Sequence, residues 1–264
     1  MWSDCGKRSR AGHDRTIMKT EKGVITTDRW NIPYISTMRE SDKRVLLCLH
    51  GFAGDKESSV VEALMETLYE KGVGVFVFDW PAHGESVAKY SELTVENCLE
   101  DLKTVMGWIK ERTAAPVSCF ATSFGGYIAS LYAHEFPEQF EYLILRSPAL
   151  RMHDVFTKLL PNDDLAGIMQ GKNIVMGFER KMSIGKDFID SLARNDAFDL
   201  QPPHPDRMLI IQGDRDEVVD ARDIVRYADK NGIKLALFAG ADHRYKNRGE
   251  KERIVSEVES FMRI

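Results

Sequence analysis

The chain has 264 residues, 43% hydrophobic and 29% charged, which suits one globular domain with a substantial core and room for a modest insertion. Lysine and arginine number 36 against 41 aspartates and glutamates, a net charge of −5 with no long basic block, so neither nucleic acid nor an anionic membrane is an expected partner. Met1 to Arg15 is polar and carries no apolar run, so no signal peptide or membrane span is expected there, and a cytoplasmic location is.

In chain order, Met18 to Thr27 and Asn31 to Met38 read as an opening pair of antiparallel strands, turning at Gly23 or at Thr27-Asp28. Strands and helices then alternate. Val45 to Leu49 leads to a helix near Ser58 to Lys71, ended by Gly72, and Val75 to Phe78 leads to a helix near Val95 to Arg112. Val117 to Ala121 precedes a helix from Gly125 to Glu135, stopped by Pro137, and Tyr142 to Arg146 follows. After an interruption come the strand Met208 to Gln212, the helix Ala221 to Lys230, the strand Leu235 to Phe238 and the amphipathic helix Glu252 to Met262. Such alternation predicts an α/β fold with a mostly parallel, helix-covered sheet.

The chemistry begins where Val117-Ser118-Cys119-Phe120-Ala121 stops at Thr122-Ser123-Phe124-Gly125-Gly126. A strand, a sharp turn and a helix would put the Ser123 hydroxyl at the tip of the turn. The amides that follow, at a helix N-terminus, would face negative charge developing on an attacked carbonyl. Two further strands end in candidate partners. Met208-Leu209-Ile210-Ile211-Gln212 delivers Gly213-Asp214-Arg215-Asp216-Glu217, and Leu235-Ala236-Leu237-Phe238 delivers Ala239-Gly240-Ala241-Asp242-His243. Parallel sheets collect ligands beyond the C-terminal ends of their strands, and the order Ser, Asp, His suits nucleophile, orienting acid and base. Within the acid loop, Asp214, Asp216 and Glu217 are all candidates by position.

From about Val45 to Ile264 the chain resembles an α/β-hydrolase. Val45 to Gly54, with His50-Gly51-Phe52, is similar to the family's third-strand loop, and Asp79-Trp80-Pro81-Ala82-His83-Gly84-Glu85-Ser86 to its fourth-strand exit. The resemblance implies oxyanion-hole amides at Phe52 and Phe124. It also implies the acid at Asp216, three residues after Gly213, with Asp214 bracing the turn. Ala121 stands where the family usually has glycine, and a small residue still fits there. Between Leu150 and Pro205 the rhythm fails, and Met152, Phe156, Met169, Met176, Phe178, Met182 and Phe188 are interspersed with charges. Each reads singly as helical core. Together they suggest an adaptable apolar pocket in a cap over 150–205, between core segments 1–149 and 206–264. The cap that the resemblance implies is small, closer in size to those of cinnamoyl and feruloyl esterases or monoacylglycerol lipases than to a large lipase lid.

The four cysteines, at 5, 48, 98 and 119, form no CxxC pair, and the seven histidines show no metal spacing, so no metal or cofactor is expected. His50 and His83 read as structural hydrogen-bonding residues, and His134, His153 and His204 carry no assigned chemistry. Asp79 reads as holding neighbouring loops together and Asp242 as bracing its own. The expected function is a serine hydrolase cleaving a small or medium acyl or aryl ester through an acyl-enzyme. An aminopeptidase or C–C bond hydrolase with the same three residues, or a non-catalytic binding protein, are the alternatives.

Overall fold

The structure, a computed structural model, describes residues 18–177 and 180–264; Cys5, Phe178 and the Met1 to Arg15 segment lie outside the described residues. Eight strands form one sheet in the order β1-β2-β4-β3-β5-β6-β9-β10. β1 (Glu21–Ile25) and β2 (Ile32–Ser36) are its antiparallel edge. The turn between them is at Thr27, whose hydroxyl accepts the Arg29 and Trp30 amides, while Gly23 lies within β1. The remaining strands run parallel: β3 (Arg44–Leu49), β4 (Val73–Phe78), β5 (Val117–Thr122), β6 (Leu143–Arg146), β9 (Met208–Gly213) and β10 (Lys234–Phe238).

Helices cover both faces because these strands are apolar on both. Along β3, Val45, Leu47 and Leu49 face one cluster, and Leu46 and Cys48 the other, as the period-2 geometry of a strand requires. The first cluster is closed by α2 (Val95–Arg112) and α3 (Phe124–Glu135), the second by α1 (Ser59–Tyr69) and α8 (Glu250–Met262). Ser58 and Thr94 cap α1 and α2 by accepting the Val61 and Asn97 amides, which fixes where those helices begin. Helix α7 (Ala221–Asn231), capped by Asp220, lies between β9 and β10 in sequence.

The segment between β6 and β9 holds α4 (Met152–Leu159), α5 (Asn162–Met169), a hairpin of β7 (Ile174–Met176) and β8 (Met182–Ile184), and α6 (Lys186–Arg194). Met152, Phe156, Met182 and Phe188 are buried in the same cluster as Phe124 and Tyr127 of α3, so this segment shares its core with the sheet. Met169 is exposed. Met152, Phe156, Met182 and Phe188 are packed core rather than the walls of an open pocket.

Candidate active site

Three strand ends meet at one point. Ser123, at the junction of β5 and α3, has φ 51° and ψ −112°, a conformation that costs a non-glycine residue on the order of 1–3 kcal/mol. Hydrogen bonds over-determine it: the Ser123 amide donates to Arg146 at 2.9 Å, and its carbonyl accepts from Tyr127 at 3.0 Å and Ala149 at 3.2 Å. Glycine is required next to it. A Cβ on Gly125 would lie 2.6 Å from the Leu49 carbonyl oxygen and 2.7 Å from that of His50, so α3 and the end of β3 are in near backbone contact. A Cβ on Gly51 would lie 3.3 Å from the Ser123 Cβ, which puts the His50-Gly51-Phe52 turn beside the hydroxyl. Phe124 is the first residue of α3, and first-turn amides have no acceptor within their own helix.

The His243 Nδ1–H donates to the Asp216 carboxylate, at 2.8 and 2.9 Å from its oxygens, and Nε2 accepts from the Ser123 Oγ at 3.0 Å. Asp216 also accepts the amides of Val218 at 2.9 Å and Val219 at 2.8 Å and the Gln212 side-chain amide at 3.0 Å. Burial alone would push its carboxyl up. The hydrogen bond and charge of His243 and those two amides outweigh burial and hold the carboxyl below its usual range. Asp216 is therefore an anion that fixes the ring, and an imidazole so held can take a proton from the hydroxyl.

The other acidic candidates have different partners. Asp214 accepts the Gly240 amide at 2.6 Å and ties the β9 and β10 loops together, the bracing part expected of it. Glu217 accepts the His243 backbone amide at 3.1 Å, a support the sequence gives no sign of. The Gln212 contact is likewise unforeseen, because the residue reads only as the end of its strand. The Val218 and Val219 contacts have a signal in hindsight, since an aspartate commonly accepts amides two and three residues on.

His50 and His83 are structural, as expected. His50 Nδ1–H donates to the Gly51 carbonyl at 2.8 Å, and its Nε2 accepts the Trp80 amide at 3.3 Å. His83 Nδ1–H donates to Pro81 at 2.9 Å and leaves a buried Nε2 without a partner among the described residues. Burial drives both rings neutral, His50 down to about 4 and His83 to about 3. Asp79 joins loops, accepting the Lys56 amide and ammonium at 2.9 and 2.6 Å and the Glu85 amide at 2.8 Å; the buried Lys56 was not foreseen. Asp242 accepts the Arg244 amide within its own loop. His134 and His204 meet Gln201 and Glu138, away from Ser123. Cys48, Cys98 and Cys119 are buried free thiols, and among the described residues no group of side chains could hold a metal ion. No helix among them is long and apolar enough to cross a membrane.

Comparisons with known proteins bear on the family and the fold. The chain is 21% identical over 252 residues, 84% of its length and 89% of the relative's, to a monoacylglycerol lipase of Mycolicibacterium smegmatis. In fold it is similar to a putative hydrolase of Agrobacterium vitis (TM-score 0.79, 19% identity, covering 92% of this chain and 99% of that one). It is also similar to Butyrivibrio proteoclasticus Est1E with ferulic acid bound (TM-score 0.78, 22% identity, 91% and 97%). Residues 40–177, more than half of the chain, match the family described as serine aminopeptidase, S33. The chain therefore belongs to that family of α/β-hydrolases and is a hydrolase.

Proposed function

We propose that the protein is a serine carboxylesterase, cleaving a small or medium acyl or aryl ester. The observation that carries this reading is the unbroken chain of hydrogen bonds from Asp216 through His243 to Ser123. His243 takes the hydroxyl proton as Oγ attacks the ester carbonyl, and the Phe52 and Phe124 amides receive the oxyanion. His243 then gives that proton to the leaving alcohol, and the ester becomes an acyl group on Ser123. Water, deprotonated by His243, attacks the acyl-enzyme, releases the acid and restores the hydroxyl. The segment 150–205 acts as the cap, with Phe156 and Phe188 packed against Phe52 of the oxyanion loop. The monoacylglycerol lipase and the ferulic acid complex among the similar proteins lend support to an ester substrate.

The family description gives weight to a second reading, aminopeptidase chemistry on the same three residues. A fluorophosphonate probe tests both against a non-catalytic role, because only a reactive Ser123 is labelled. Hydrolysis of p-nitrophenyl esters without hydrolysis of aminoacyl p-nitroanilides supports the esterase, and the reverse pattern replaces it with the peptidase.

A further inference from the structure

Phe52 stands in a turn whose backbone is strained. The Gly54 amide donates to the Gly51 carbonyl at 3.1 Å, which makes Phe52 and Ala53 the two central residues, and Ala53 has φ 58°. A positive φ at the second central position usually falls to glycine, so an alanine persists there only where its surroundings over-determine it. The direction of the Phe52 amide therefore depends on what grips this turn.

One grip is a buried ion cluster. Asp79 accepts the Lys56 amide and ammonium and the Glu85 amide, and the same ammonium lies 2.7 Å from the Glu85 carboxylate. That fastens the end of the oxyanion loop to the exit of β4. The other grip comes from the connection between β7 and β8. A Cβ on Gly177 would lie 3.3 Å from the Ala53 Cβ, so the backbone of this connection rests on the strained residue. Three residues on, Arg180 spans both loops. One guanidinium nitrogen donates to the Gly84 carbonyl at 3.0 Å, and the other lies 3.5 Å from the Asp55 carboxylate, which also accepts the Glu57 amide at 2.9 Å. Asp55 and Gly84 are the chain neighbours of Lys56 and Glu85, so the two grips clamp the same pair of loops side by side. Asp55, Asp79 and Glu85 set three carboxylates against one ammonium, and the guanidinium meets that excess of negative charge. Its planar fork reaches a carbonyl and a carboxylate at once from fixed directions. With side chains 37% and 38% exposed, the pair of Arg180 and Asp55 adds little to stability; what it sets is position.

We propose that Arg180 is a positioning residue for the reaction, holding the Gly51–Gly54 turn against the β4 exit so that the Phe52 amide stays aimed at the oxyanion. The inference rests on the serine-esterase reading, although Arg180 itself touches no reacting atom. Arg180→Met keeps the stem and removes both contacts, and Arg180→Lys keeps the charge. With p-nitrophenyl acetate, Arg180→Met should lower kcat by roughly 10-fold, short of the 10²- to 10³-fold for outright loss of an oxyanion donor, while KM stays within about twofold and the melting temperature changes little. Arg180→Lys should regain part of the loss. The second measurement is inhibition by an aliphatic trifluoromethyl ketone. Ser123 Oγ adds to its carbonyl carbon, the hydroxyl proton passes to His243, and the carbonyl electron pair becomes an alkoxide at the oxyanion position. Its inhibition constant should rise in the order wild type, Arg180→Lys, Arg180→Met, in step with the fall in kcat. A lowered melting temperature with unchanged kcat and ketone affinity, or a loss that falls on KM alone, overturns the proposal. Failure of the esterase reading looks different. A wild type that spares p-nitrophenyl acetate but binds the ketone leaves the three ketone affinities to decide, equal values overturning the role of Arg180. A wild type that binds neither removes the oxyanion site, and that role with it.

Discussion

The ring of Phe52 meets the ring of Phe156 edge-on, centroids 4.7 Å apart, and stacks on Phe188 at 5.9 Å. One residue thus links two parts of the proposed machinery, since its amide belongs to the loop beside Ser123 and its side chain to the core of 150–205. Removing the whole segment would uncover Phe52 and Phe124 together, so point changes are the cleaner probe. Phe156→Ala is expected to cost about 3–5 kcal/mol in urea unfolding, the range for truncating a buried aromatic. It should also lower kcat for acetate esters, whose acyl group is too short to need the segment, because the loop loses its support. Unchanged kcat in the folded variant would show that the loop holds its position without the ring.

Ser123→Ala should fold normally and lose ester hydrolysis by roughly five to six orders of magnitude, leaving only what binding and the oxyanion amides provide. His243→Ala should match it closely, because the two act as a unit. More than about a tenth of the wild-type rate in either variant would take that residue out of the reaction.

The acid loop separates turnover from stability. Asp216→Asn should cut kcat on the order of 10⁴-fold by favouring the wrong imidazole tautomer. Asp214→Asn should act on unfolding instead, through the bond to Gly240. Gln212→Leu removes one donor to Asp216 and should reduce kcat by roughly 10-fold, about the worth of one hydrogen bond to a charged group. A reversal between Asp216 and Asp214 would relocate the orienting acid within the loop.

What could be read from the sequence follows from how local each signal is. The strand, turn and helix around Ser123 were legible because a short, mostly apolar run, two glycines and an apolar helix follow one another closely, and α2 was placed at Val95–Arg112. The acid and base were legible as strand-end residues, although choosing Asp216 over Asp214 depended on the family resemblance. Glu217 was not, because its partner lies across on the β10 loop, and Gln212 was not, because a polar residue at a strand end has no periodicity to betray its contact with Asp216. The elements of 150–205 were obscured for another reason: α4 and α5 are eight residues each, β7 and β8 three. At that length a hydrophobic pattern cannot establish its period.

The packing at Gly125 gives a test of the elbow that does not touch a reacting atom. Gly125→Ala would drive a Cβ to within 2.6 Å of the Leu49 carbonyl oxygen, a backbone atom that cannot rotate away. The β5–α3 turn or the end of β3 must shift, and overpacking of this kind costs typically about 1–3 kcal/mol. Ester hydrolysis should fall further than stability suggests, because the displaced carbonyls adjoin the His50-Gly51-Phe52 turn. A variant with a lowered melting point and wild-type kcat would show that the turn and the hydroxyl move together.

Acid sensitivity should come from the two buried histidines beside Phe52 and the proposed oxyanion loop. Burial lowers His50 to about 4 and His83 to about 3, while in the unfolded chain each titrates near 6.5. Below pH 6.5 the unfolded state takes up protons that the folded rings refuse. The stability each neutral ring contributes is therefore present above pH 6.5 and is lost as pH falls toward its folded value. Between pH 6.5 and 5 the loss is about 2 kcal/mol per histidine, from about 1.4 kcal/mol per pH unit. Asp101 works the other way: burial pushes its carboxyl up to about 6, so its contribution grows as pH falls through 6 toward the ordinary range. The comparison of His83→Gln with the wild type isolates one histidine from that background. Gln retains a donor for the Pro81 carbonyl and does not titrate, so its urea-unfolding free energy should fall by about 2 kcal/mol less between pH 6.5 and 5. Parallel curves for the two proteins would mean that His83 accepts its proton inside the fold, at its buried Nε2.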